Sequence, residues 1–399
     1  MAERLQMSIK DIRRAKVMEM VKEKRVTLLR ASELLELSYR QSKRVYGRYL
    51  SCGDAGIRHR SVGHRSNRQM DPEFRAHVIG LYRDQYADFG PTFAAEKMLQ
   101  RDSVSVNRET LRLWLIAEGL WQAKRRRHTY RQRRERRERF GELLQFDGSH
   151  HDWFEGRASK CCLMNMVDDA TGTTYSQLFE QETTEAAMRL LWAWIERYGI
   201  PQAVYCDRKN AFVLNREATI EEQLQGVKPL SPFELACEKL GIEVITAHSP
   251  QAKGRVERNH GVYQDRFIKE LRLEGITDIE TANEFLLDTY LPAINTKFAK
   301  PAMYPEDAHA PLFDRSALCN VFCFEEGRKV SNDYVVLYNN GQYQLVKVER
   351  RALPKPGDRV TVRRWLNGSV HIFLKDRELV VKKIVKTKEK EENAEALSA

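Results

Sequence analysis

Three carboxylates stand where they could do chemistry together: Asp147 in LLQFDGSHH, Asp207 in AVYCDRKNAF and Glu257 in SPQAKGRVERNH. The first two each end an apolar run that reads as a buried strand, Leu143-Leu144-Gln145-Phe146 and Ala203-Val204-Tyr205-Cys206. Glu257 follows the Ser249-Pro250 turn and Gly254. It lies near the start of a stretch with Val256, Tyr263, Phe267 and Leu271 on one helical face. Two strand-end aspartates and one helix-borne glutamate can converge at the open edge of an α/β sheet. Such an all-oxygen set suits a pair of Mg²⁺ or Mn²⁺ ions, which dehydrate reluctantly and prefer carboxylates. Taken singly, an acid after a strand is ordinarily a solvated turn residue or a helix cap.

The order Asp, Asp, Glu and the strings around it resemble the catalytic core of bacterial insertion-sequence transposases and retroviral integrases. The likeness is strongest at 249–259 and good around Asp147, and FDGSHHDWFEG followed by VDDATG is most similar to the ISNCY transposase group. It spans roughly residues 140–300. The resemblance implies a ribonuclease-H-like core in which the first aspartate ends strand one, the second ends strand four, and the glutamate lies on the next long helix. It implies a DDE transposase, a metal-dependent polynucleotidyl transferase that nicks transposon ends and transfers the strand to target DNA. Asp147, Asp207 and Glu257 would be its catalytic residues and the ligands of two Mg²⁺ (or Mn²⁺) ions. A homo-oligomer that synapses two ends is implied as well. Arg208 and Lys209 depart from the family, standing where many relatives carry Asn-Gly. The 50-residue spacing from Asp207 to Glu257 exceeds that of retroviral integrases, and the polar stretch 213–230 reads as an insertion loop.

The elements that must position these acids follow from periodicity. Strands are expected near 142–147, 161–168, 173–180, 202–206 and 242–246, with helices near 183–199, 231–240, 251–273 and 279–298. Asp168 and Asp169 precede Thr171-Gly172 and read as a turn between the second and third strands. Lys253 and His260 flank Glu257 at helical spacing and could touch DNA phosphates; a Lys253–Glu257 salt bridge is the alternative.

Charge points to the partner. Residues 1–140 hold 33 basic and 17 acidic side chains, net +16, whereas 141–399 are net −5. A globular core needs no such asymmetry, but a polyphosphate partner favours it. Residues 8–50 read as three helices, marked by Ile9, Ile12, Val17 and Val21, then Leu28, Leu29, Leu34 and Leu35, then a third after Ser38. The third presents Arg40, Gln41, Lys43 and Arg44 outward in helix-turn-helix form. A second triplet at about 71–120 repeats the form, with Arg108 and Arg112 outward. Plain three-helix packing is the alternative for either. KRRRHTYRQRRERRERF then carries Arg125, Arg126 and Arg127 in a run suited to tracking phosphates.

Beyond Pro301 the pattern turns to β, with hairpins at Asn339-Asn340-Gly341 and Asn367-Gly368 that suggest a small barrel. Arg363, Arg364 and Trp365 there could grip DNA or serve packing alone. The whole reads as a multidomain α+β chain. Helix-turn-helix domains occupy 1–68 and 69–123, a basic linker 124–139, the ribonuclease-H-like α/β core 140–300, a C-terminal β-barrel 301–385 and a disordered tail 386–399. The seven cysteines read as reduced thiols; Cys52 with His59 and His64 is too small a set for zinc, and Cys319 and Cys323 read as strand core. No apolar leader or span is seen, so a cytoplasmic, nucleoid-associated protein with no membrane partner is expected. Two rival readings stay open: a non-catalytic DNA-binding regulator derived from a transposase, and a nuclease of the same fold.

Overall fold

The computed structural model describes residues 7–59, 70–122, 135–207, 211–214, 216, 220–224, 226, 229–246, 254–312, 314–349 and 352–384. The chain divides into two compact units, 1–122 and 123–399.

The first unit holds two helix triplets, each helix started by its own cap. Ser8, Thr27 and Ser38 open α1 (Ile9–Lys22), α2 (Leu28–Leu34) and α3 (Tyr39–Cys52) by accepting backbone N–H groups three residues on. Met18, Val45 and Ile57 form their small core. Helices this short bury one narrow stripe each, so some expected core positions stay outside: Ile9 and Leu29 are 87% and 60% exposed. In the second triplet Asp71 and Asn107 cap α4 (Pro72–Gln85) and α6 (Arg108–Ala117), and α5 (Pro91–Asp102) opens on Gly90-Pro91. Tyr82 and Tyr86 are buried but satisfied, donating to Phe89 O at 2.9 Å and Asp102 Oδ2 at 2.7 Å.

The second unit begins with β1 (Leu144–His151), β2 (Cys161–Asp168) and β3 (Thr174–Phe179), antiparallel neighbours in turn. After α7 (Thr184–Tyr198), β4 (Ala203–Cys206) pairs parallel to β1. Past α8 (Ile220–Leu224) and α9 (Pro232–Lys239), β5 (Glu243–Thr246) pairs parallel to β4. The sheet order is therefore β3-β2-β1-β4-β5, three antiparallel strands followed by α/β alternation, as the sequence pattern suggests. Every residue of β2 is buried because both faces are covered. On one face Phe146 meets Phe212 and Phe233 at ring separations of 4.9 and 5.9 Å. On the other lies α10 (Gly254–Leu273), whose Tyr263 accepts the Ser176 hydroxyl at 2.8 Å.

The expected single helix at 279–298 is α11 (Ile279–Phe285), one π-helical turn (Leu286–Tyr290) and α12 (Leu291–Phe298). Pro292 has no N–H to continue the ladder, which accounts for the local widening.

The C-terminal region differs from the expected barrel. After α13 (Leu318–Val321) come β6 (Cys323–Lys329), β7 (Val335–Tyr338), β8 (Gly341–Leu345), β9 (Arg359–Trp365), β10 (Val370–Leu374), β11 (Arg377–Leu379) and β12 (Val381–Ile384). Among the described residues they make two sheets, β11-β10-β9-β6 and β12-β8-β7, rather than one closed sheet. The chain changes sheet at Val380: Leu379 pairs with Ile372, whereas Val381 pairs with Leu345. Val336, Leu345, Val362, Ile372 and Leu379 share the core between them. Asn339 and Asn340, both at positive φ, make the tight β7–β8 turn. Cys319 and Cys323 do not share a strand; the first is on α13 and the second opens β6.

Candidate active site

Asp147 is not at a strand end. It is the fourth residue of β1, which runs on to His151, while Asp207 directly follows β4. The parallel register pairs Leu144 with Val204 and Gln145 with Tyr205, so two residues further on Asp147 comes level with Asp207. Alternation along β1 puts Gln145, Asp147 and Ser149 on one face, and α10 lies over that face. Val256 N–H donates to Gln145 Oε1 at 3.2 Å, and Gln264 Nε2 donates to Ser149 Oγ at 3.2 Å. Asn165, the cross-strand partner of Asp147, donates to Asn259 Oδ1 at 2.7 Å. Glu257 shares a helical stripe with Gln264, seven residues on, and so overlies the Asp147 face. Asp147 and Asp207 are half-buried and Glu257 is exposed. The three carboxylates thus lie on an edge that is open to solvent.

The scaffold beneath is a buried polar network that the sequence did not disclose. Asp168 ends β2 and Asp169 opens the expected turn toward β3, yet both are fully buried. Asp168 Oδ1 accepts the Thr171 backbone N–H and hydroxyl at 2.7 Å each, and Oδ2 accepts Gly141 N–H at 3.1 Å. Burial pushes its carboxyl up against the pull of those bonds. Asp169 accepts Arg137 N–H and Gln145 Nε2 at 2.8 and 2.7 Å and is ion-paired with Arg255. Asp168 therefore has a structural role.

The acids are not drawn into a single cage. Among the described residues, the one group of three ligating side chains with donor atoms all within 4.8 Å of one another is His150, Cys162 and Glu182.

Of the expected DNA contacts, Arg40, Lys43 and Arg44 are exposed along α3, and Arg108 is exposed at the start of α6. Arg112 is half-buried and held by Glu109 through two hydrogen bonds. His260 is only 8% exposed; it sits four residues after Val256 on the inward stripe of α10, so it offers no open face to a phosphate. Lys253, Arg125, Arg126 and Arg127 lie outside the described residues. Arg363 is committed to Glu325 and the Phe373 ring, Arg364 to the Phe324 ring, and Trp365 stacks on His371. These contacts favour the packing role over a DNA grip. No helix among the described residues is long and apolar enough to cross a membrane.

No family model matches the chain. A Sinorhizobium fredii protein named as a transposase, y4bF, is 38% identical over 345 residues, which is 86% of this chain and 74% of that protein. The transposase for insertion sequence IS1202 of Streptococcus pneumoniae is 26% identical over 331 residues, 74% of this chain and 70% of its own length. The chain belongs to the insertion-sequence transposase family. Among solved structures, the magnesium complex of the HTLV-2 integrase catalytic core, in its dimeric form, matches 38% of this chain and 88% of its own at 20% identity and TM-score 0.29. The simian T-cell lymphotropic virus intasome, in complex with the PP2A regulatory subunit B56 gamma, matches 78% of this chain and 99% of its own at 15% identity and TM-score 0.33. Overlaps that weak add nothing to the topology read directly from the strands.

Proposed function

We propose that this chain is a DDE transposase that binds the terminal repeats of its element and carries out metal-dependent nicking and strand transfer. One observation carries the reading: Asp147 of β1 comes level with Asp207, which directly follows the adjacent parallel strand β4, beneath the helix stripe that bears Glu257. The donor set is all oxygen, half-buried to exposed, and therefore fits hard divalent ions. When bound, a Mg²⁺ or Mn²⁺ pair would activate the attacking oxygen and stabilise the leaving one in each in-line displacement at phosphorus. The three carboxylates would hold the ions, and Gln145, Asp169 and Arg255 keep strand and helix in register. Nicking and joining differ only in the nucleophile, first water and then the freed 3′-hydroxyl, so one site serves both.

Arg40, Lys43, Arg44 and Arg108 are the proposed contacts of the two helix-turn-helix modules, within boundaries of 1–68 and 69–123. The linker 124–139 tracks phosphates, the core spans 140–300 and the β region 301–385. The substrate is double-stranded DNA, both transposon ends and target, bound by a homo-oligomeric synaptic complex. The test is a strand-transfer assay with the flanking ends of the element and Mg²⁺. Joined product is expected; cutting without joining would indicate a nuclease, and end binding without either would indicate a regulator.

A further inference from the structure

A second cluster of ligating side chains lies on the sheet face opposite the Asp147 carboxylate. His150 stands three residues beyond Asp147 on β1 and pairs in register with Cys162 on β2, so their side chains share a face. Glu182 comes from the connection between β3 and α7, one residue before the Thr183 cap, and its Oε2 lies 3.5 Å from His150 Nε2. The three donor atoms fall within 4.8 Å of one another. Gly148 makes room for them: a Cβ there would stand 2.8 Å from the Glu182 carboxyl carbon and 3.1 Å from Cys162 Sγ. The Cys162 side chain is fully buried and that of Glu182 only 7% exposed, whereas His150 is 59% exposed.

We propose that His150, Cys162 and Glu182 form a site for a borderline-soft divalent cation of the zinc class, distinct from the acidic triad. Thiolate, imidazole and carboxylate together make a tetrahedral set with one position left for water, which the exposed side of His150 provides. In such a site the donors are about 3.3–3.7 Å apart, so the cluster needs to close by roughly 1 Å. Binding forms a metal–sulfur bond as the Cys162 thiol gives up its proton to solvent. Mg²⁺ has little affinity for sulfur, so the two sites sort ions by ligand softness. A cation here ties β1, the strand that carries Asp147, and β2 to the start of α7.

The test is a Co²⁺ titration of the full-length protein in excess Mg²⁺, read by the thiolate-to-cobalt charge-transfer band and the tetrahedral d–d bands. One equivalent should give both, and Zn²⁺ should erase them. Cys162→Ser should lose the charge-transfer band, and His150→Ala, exposed and safe for folding, should weaken Co²⁺ binding at least tenfold. Asp147→Asn should leave the spectrum unchanged. Absence of the charge-transfer band in the unsubstituted protein, or its survival at full affinity in either cluster variant, would overturn the proposal and leave a plain His150–Glu182 ion pair beside a buried thiol.

Discussion

Gln145 accepts the backbone N–H of Val256 at 3.2 Å, so the strand bearing Asp147 is bonded directly to the first turn of the helix bearing Glu257. The other end of the same amide donates to Asp169, which also takes Arg255. One side chain thus joins the strand that carries Asp147, the loop after β2 and the helix that carries Glu257. Like charges held close repel, so the frame cannot depend on the acids themselves.

Gln145→Leu should cost about 1–3 kcal/mol, because it removes the acceptor of the Val256 N–H; the Asp169 oxygen it also releases keeps Arg255. Arg255→Ala should cost more, about 3–5 kcal/mol, because it removes a cationic partner from a fully buried Asp169 carboxylate. Urea melts give the stability change, and strand transfer at low denaturant gives the activity of the folded fraction. The frame model expects activity to fall further than the folded fraction does; a Gln145→Leu protein with native stability and full joining would refute it.

Asp147→Asn, Asp207→Asn and Glu257→Gln should each abolish nicking and joining while end binding stays nearly intact. Each change removes a ligand charge from a half-buried or exposed position and disturbs little packing. Retention of strand transfer by two of the three would mean that the triad is misassigned.

Asp168 offers a pH signature. Burial raises its carboxyl above the ordinary 3.8, so the folded chain keeps a proton that the unfolded chain releases. The stability contributed by this group is complete below 3.8 and is lost as pH rises through the higher folded value. Asp168→Asn is neutral throughout and lacks that decline, although it loses one acceptor toward Thr171 or Gly141. Thermal melts from acid upward should therefore show the unsubstituted protein losing ground to the variant. A pH-independent difference would contradict a raised Asp168.

Glu325 fastens the C-terminal sheets to the core, bridging Lys239 of α9 at 2.8 Å and Arg363 of β9 at 2.6 Å. Burial pushes its carboxyl up, but the two cations outweigh this and hold it below the ordinary 4.5. Its contribution is present above 4.5 and fades as pH falls through the lower folded value. Glu325→Gln should cost about 1–3 kcal/mol near neutrality, between the figures for exposed and buried pairs, and progressively less in acid. Equal destabilisation at both pH extremes would show that charge is not what matters there.

The core was legible because its strands are apolar runs of the right length and its helices carry clean periodicity around Val256, Tyr263 and Phe267. The three acids stood out because each interrupts such a pattern. Register was not legible. Nothing in the string Gly148-Ser149-His150 says that His150 faces Cys162, since pairing is set by contacts distant in sequence. The burial of Asp168 and Asp169 was hidden for the same reason: their partners Gly141, Gln145 and Arg255 are scattered along the chain. The leucines of α2 do not all reach the core that their pattern suggests, because a three-helix unit has too little interior to take Leu29.

DNA recognition should separate from phosphate tracking within the full-length chain. Arg40 and Lys43 are exposed on α3 and reach outward from a capped helix, the geometry needed to enter a groove. Substituting one that reads a base should weaken binding to end DNA by roughly 1–3 kcal/mol and affect random DNA far less. Arg112, already spanned by Glu109, should show the smaller effect. Neutralising basic residues between 124 and 139 should instead weaken all DNA binding alike and flatten its salt dependence, because a protein that neutralises fewer phosphates displaces fewer counterions. Footprinting and salt titration of the two variant sets measure both effects. Equal losses for end and random DNA in the α3 variants would mean that this helix does not read sequence, and the recognition role would have to move elsewhere in the chain.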